Sequence, residues 1–181
     1  IDIAGLVRAG SAVLAEASGS LSIENPLNMA VMSVNGGDVT LVSTGGDITV
    51  KGGNGYNSYG IQGNGGAVIL DAAGTVSAEG YNGYAGVNAG SLALSGTIAE
   101  GERLHSTCAV TVPAGKTLYN EGTLFINSGG VSVAGTLVSG QQGMISNANG
   151  SITPTVTGNG TVTTGPERVS SLDFRFNTPT E

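Results

Sequence analysis

The chain has 181 residues, of which 32 are Gly, 18 Ser, 18 Thr and 14 Asn; only 10% are charged, with 13 acidic against six basic and a formal net charge of −7. With 41 Val, Ile and Leu, no Trp, three Phe and five Tyr, the composition supplies a core of small, mostly β-branched side chains and excludes an ordinary helical protein. The acidic balance argues against binding nucleic acid through its phosphates, and an apolar content of 39% is too high for simple disorder.

In chain order, the first candidate element is Ser11 to Ala17, which fits a strand or a short capping helix, the strand being preferred. Val13, Leu21 and Val31 precede Val39, Ile48 and Ile61 by 26, 27 and 30 residues, which points to an early coil. Three alternating strands then follow glycine pairs: Asp38-Val39-Thr40-Leu41 after Gly36-Gly37, Asp47-Ile48-Thr49-Val50 after Gly45-Gly46, and Ala67-Val68-Ile69-Leu70 after Gly65-Gly66. The tract Gly55-Tyr56-Asn57-Ser58-Tyr59-Gly60 recurs 25 residues later as Gly80-Tyr81-Asn82-Gly83-Tyr84-Ala85-Gly86, with one inserted residue. Val39, Ile48 and Ile61 form one turn of chain, and Val68, Val76 and Val87 the next, at spacings of 29, 28 and 26.

The stretch Glu100 to His105 is expected to be an exposed loop at a junction between long and short coils. Beyond it, Val110, Val131 and Ile152 recur at 21 and 21, Leu118 and Leu137 at 19, and Leu124 and Ile145 at 21. Gly165-Pro166 breaks the pattern. Val169 to Phe176 reads as a last capping strand, or as the start of a linker that continues into the tail. The division is therefore a β-helix domain over residues 1–165 and a capping strand with a linker-like tail over 166–181.

Three short strands per turn, glycine corners and like residues at like positions describe an all-β protein, a right-handed parallel β-helix. Coils stacked about 4.8 Å apart would satisfy one another's backbones, and about seven of them would make a rod on the order of 35 Å long. The opening at Ile1, without an initiator Met, a signal peptide or a bilayer-spanning apolar run, is read as a segment of a longer multidomain precursor.

The run Gly45-Gly46-Asp47-Ile48-Thr49-Val50-Lys51-Gly52-Gly53-Asn54-Gly55-Tyr56, with Gly60-Ile61-Gln62-Gly63 after it, resembles the repeats of right-handed β-helix surface proteins of gut and other Gram-positive bacteria. Val112-Pro113-Ala114-Gly115-Lys116-Thr117-Leu118 resembles coils of the same adhesin-like and carbohydrate-binding proteins. The resemblance covers roughly residues 36–164. It implies a secreted or cell-surface bacterial protein and leaves the activity open, because one fold hosts lyases, adhesins and stalks alike.

Candidate chemistry is sparse. Cys108 is the only cysteine and is read as a small core residue. The tract Gly52 to Gly60 nearly matches a calcium-binding nonapeptide, but Asn57 stands where the ligand Asp belongs, and Asn82 in the second copy. Asn in a left-handed turn explains both without metal. Asp38, Asp47 and Asp71 are read as solvated turn carboxylates. His105 near Glu100 and Glu102 is read as a loop residue rather than a catalytic base. Thr153 to Thr157 and Thr161 to Thr163 are read as ordinary strand residues facing solvent.

No catalytic residue, cofactor or metal is assigned. The candidate binding residues are Tyr56, Asn57, Tyr59, Tyr81, Asn82 and Tyr84, since stacked copies of the tract would gather four of the five Tyr on one edge. Tyr rings offer an apolar face and a hydroxyl, suited to sugar rings, and the Asn amides could bond their hydroxyls. The expected partner is a polysaccharide or a host or cell-surface glycan. A structural stalk is the alternative, and a lyase-like enzyme comes third.

Overall fold

The computed structural model describes residues 1–165, and every regular element among them is a β-strand. The capping strand expected over Val169 to Phe176 lies outside the described residues. A partial coil, β1 (Asp2–Ala4) and β2 (Val7–Ala9), opens the stack. The next two coils are β3 (Val13–Ala17), β4 (Leu21–Asn25) and β5 (Val31–Ser33), then β6 (Val39–Ser43), β7 (Ile48–Gly52) and β8 (Ile61–Gln62). In the third and fourth, β9 (Ala67–Glu79) and β11 (Ser91–Ile98) each run through two faces, followed by β10 (Val87–Asn88) and β12 (Arg103–Ser106). Two shorter coils follow: β13 (Val110–Val112), β14 (Thr117–Asn120) and β15 (Thr123–Ile126), then β16 (Val131–Val133), β17 (Thr136–Ser139) and β18 (Met144–Asn147). After the short β19 (Gly150–Ser151), β20 (Thr155–Val156) and β21 (Thr161–Thr164) complete a parallel β-solenoid of about seven turns.

The coils pair face to face in a fixed register. On the first face Val13, Val39, Val68, Leu92, Val110 and Val131 lie directly over one another. The second face stacks Leu21, Ile48 and Val76, and the third stacks Val7, Val31, Ile61 and Val87. From Val13 to Val131 and from Leu21 to Val76 these residues are buried, and Cys108 is buried with them. Amides donate to the neighbouring coil, as Val13 N does to Asp38 O at 2.9 Å and Ile61 N to Gly86 O at 2.8 Å. The strand reading of Ser11 to Ala17 holds, as does the early coil.

Three expectations are corrected. Ile152 does not lie over Val131: Ser132 pairs with Thr155 and Val133 with Val156. Ile152 instead follows β19, which folds back antiparallel on β18, and its amide bonds Ile145 O at 2.8 Å. The strand Arg103–Ser106 replaces the loop expected over Glu100 to His105, with Leu104 buried over Leu124. Asp71 is not a solvated turn carboxylate, since it lies within β9 and pairs with Lys116, whereas at their turns Asp38 Oδ1 accepts the Ala67 amide at 3.2 Å and Asp47 Oδ1 the Thr75 amide at 2.7 Å. Each turn carboxylate thus ties a corner to the coil above it.

Coil four turns its first corner without a loop. The register between β9 and β11 shifts between Ser95 and Thr97, and Gly96 there has φ of 117°, a conformation that side chains disfavour. A Cβ at that position would lie 3.0 Å from the carbonyl oxygens of Ala72 and Gly74.

Asp71 joins three successive coils. Its carboxylate accepts Ser95 Oγ at 2.6 Å and forms an ion pair with Lys116 Nζ at 2.6 Å. Burial opposes the charge, but the bonds from Lys116 and Ser95 and the nearby ammonium outweigh it and hold the carboxyl below its usual range. A free aspartate titrates near about 3.9. The stabilisation is therefore complete above that pH and is lost as pH falls through the lower folded-state value. Asp71→Asn should lower the melting temperature at neutral pH, and the gap to the parent should narrow in melts below about pH 4.

The inward stack gives a second test. Val76 and Val131 are each 2% exposed, so Val76→Asp or Val131→Asp places an unpaired charge in a narrow core. The expected cost is about 3 kcal/mol or more in chemical denaturation. Leu14→Asp, at a side chain 68% exposed on β3, should change stability by less than about 0.5 kcal/mol.

Candidate functional site

The corner between the second and third faces varies most in length. Residues 26–30, 53–60 and 80–86 make it in the first three full coils, and residues 99–102, 121–122 and 140–143 in the next three. The rod is therefore wide at this corner in its first half and narrow in its second.

The two Gly-Tyr-Asn tracts are the second and third long connections, and their turns are set locally. Asn57 and Asn82 sit in the left-handed region at φ of 56° and 49°, which a short polar side chain tolerates. Buried Ser58 closes the first tract, its Oγ donating to Gly55 O at 2.6 Å and accepting the Gly55 amide at 2.8 Å. In the second, the Tyr84 amide donates to Tyr81 O at 3.1 Å. The connections are stacked: Gly53 N donates to Asn28 O at 2.9 Å, and Tyr81 N to Ser58 O at 2.8 Å.

This stacking brings together part of the expected set. The Tyr59 and Tyr84 rings meet edge to face, centroids 5.1 Å apart at 82°. Tyr56 and Tyr81 share the corner but form no ring pair; they project outward, 83% and 43% exposed. Leu27, one coil earlier, is 74% exposed. Asn57 and Asn82 act through backbone conformation. No group of three or more His, Cys, Asp or Glu side chains able to hold a metal lies among the described residues.

Where the long connection of coil three overhangs the short one of coil four, a step forms. It forms an open pocket of about 440 Å³ lined by Glu79, Tyr84, Glu102, Arg103 and His105, with the backbones of Gly80, Gly83, Gly86 and Gly101. Gly86 lets the overhang close against the coil body, because a Cβ there would collide with the Ala78 carbonyl. Beside the pocket, Phe125 packs against both Arg103 and His105. The Arg103 guanidinium lies 4.2 Å from its ring centroid, and the His105 ring meets it edge to face at 5.0 Å. Asn127 Oδ1 lies 2.7 Å from His105 Nε2 and orients the imidazole. Glu79 lies 3.9 Å from Lys51.

Of the expected residues, only Tyr84 lines this pocket. Glu79, Glu102, Arg103 and His105 escape sequence reasoning as a set. One signal existed: Arg103-Leu104-His105-Ser106 alternates like Thr123-Leu124-Phe125-Ile126, and the two segments pair residue for residue. Chemically, the site offers an aromatic face, two carboxylates that accept, and a guanidinium fork that donates. Comparison with protein-family models, curated proteins and solved structures gave no match.

Proposed function

We propose that this chain is a non-catalytic β-solenoid domain of a secreted or surface-attached bacterial protein, and that it binds carbohydrate at its tyrosine corner in the service of adhesion. The observation that carries the reading is the Tyr59–Tyr84 pair at the rim of a polar pocket, with Tyr56 and Tyr81 exposed beside it. Sugar rings have apolar C–H faces and hydroxyl edges, so aromatic rings next to convergent polar groups suit them. The non-catalytic reading is supported by Lys116, whose ammonium is held against Asp71 at 2.6 Å.

A glycan array probed with the chain, with and without calcium, tests the proposal. Binding to a defined subset of glycans is expected. The double variant Tyr56→Ala with Tyr81→Ala should abolish it, and Tyr84→Ala should weaken it by about tenfold, with the melting temperature of each variant near that of the parent. A parent that binds no glycan, or variants that bind as well as the parent, would leave the structural stalk as the better account.

A further inference from the structure

We infer that the ligand is an uncharged polysaccharide chain lying along the solenoid axis, with one sugar seated in the step below Tyr84 through neighbouring hydroxyls. This rests on the carbohydrate-binding reading above and names its ligand class.

The direction follows from the stacking. Leu27, Tyr56 and Tyr81 come from three successive coils at the same corner, joined by the bonds from Gly53 to Asn28 and from Tyr81 to Ser58. Exposed apolar groups therefore occur at this corner in three successive coils, which are themselves about 4.8 Å apart. The pocket continues the same line into the fourth coil, since Glu102, Arg103 and His105 follow directly below the overhang. Leu27, the two exposed tyrosines and the pocket together span four coils, on the order of 15 to 20 Å. A single sugar could occupy one station, whereas an extended chain reaches all of them.

The charge class follows from the lining. Within the lining Glu79 and Glu102 bring two negative charges against the one positive charge of Arg103, and Lys51 beside Glu79 offsets one of the two from outside it, in a chain of net charge −7. An acidic sugar entering the step would face both carboxylates. The Arg103 guanidinium lies over the Phe125 ring and keeps its N–H edge to donate, while Lys51 is drawn toward Glu79 from outside the lining. A neutral sugar meets no such opposition. Its hydroxyls both donate and accept, so a neighbouring pair can give two bonds to a carboxylate or take two from the guanidinium fork.

Calorimetric titration of the intact chain tests this, using xylo-, manno- and cello-oligosaccharides from disaccharide to hexasaccharide, with galacturonate oligomers as acidic counterparts. One neutral series should bind with affinity rising about tenfold or more with length. Its affinity should be unchanged between about 50 mM and about 500 mM salt, a range that strongly screens ionic attraction. Glu102→Gln and Arg103→Gln should each weaken the hexasaccharide by about tenfold, and Tyr56→Ala should weaken the hexasaccharide while sparing the disaccharide. Tighter binding of galacturonate oligomers, or a disaccharide as tight as the hexasaccharide, would overturn the inference and leave carbohydrate binding standing. Silence from every neutral and acidic oligomer would overturn the binding reading itself.

Discussion

The structure depends on backbone pairing between coils rather than within them. Apart from the β18–β19 fold-back, the strands pair parallel with those of neighbouring coils, so their amides and carbonyls are satisfied by the coils above and below. With the register fixed, inward side chains must stand on their own kind, which is why Val, Leu and Ile recur in columns. The same constraint frees the corners. A connection outside the ladder can be two residues long, as at 121–122, or eight, as at 53–60, without shifting the strands that flank it. Side chains then bind corners to neighbouring coils, as Asp38 and Asp47 do.

The step arises from this freedom. A uniform solenoid would present a smooth corner, whereas here wide coils give way to narrow ones between the third and fourth full coils. The step sets Glu79 and Glu102 near Tyr84, over a floor that holds Arg103 and His105 against Phe125. Stability and recognition are thus assigned to different parts of the same coil. The ladder carries the first, and the corner is where chemistry accumulates in a chain otherwise poor in charge and aromatic residues.

Much of the ladder was legible because it obeys a simple rule. Glycine pairs mark the entries to β6, β7 and β9, and the alternation behind them placed Val39 over Val68 and Ile48 over Val76. The rule failed where the chain broke its own pattern. No glycine pair announces β11, which bends through its corner at Gly96, so the coil containing Leu92, Ile98 and Leu104 was not assigned. Ile152 was misplaced because its spacing from Val131 matches a coil length, while the β18–β19 fold-back consumes those residues in another way. The tyrosine tracts were visible as repeats, but the pocket was not. It joins Glu79 to Arg103 through a difference in corner length between two coils, which no single segment records.

Replacing residues 80–86 by the two-residue turn Glu-Gly found at 121–122 separates the two roles most directly. If coil pairing holds the fold, the shortened chain should keep a single cooperative melt and an unchanged β-sheet circular dichroism spectrum, while glycan binding is lost with the overhang. Loss of cooperative unfolding, or binding that survives the deletion, would contradict the division of labour between ladder and corner.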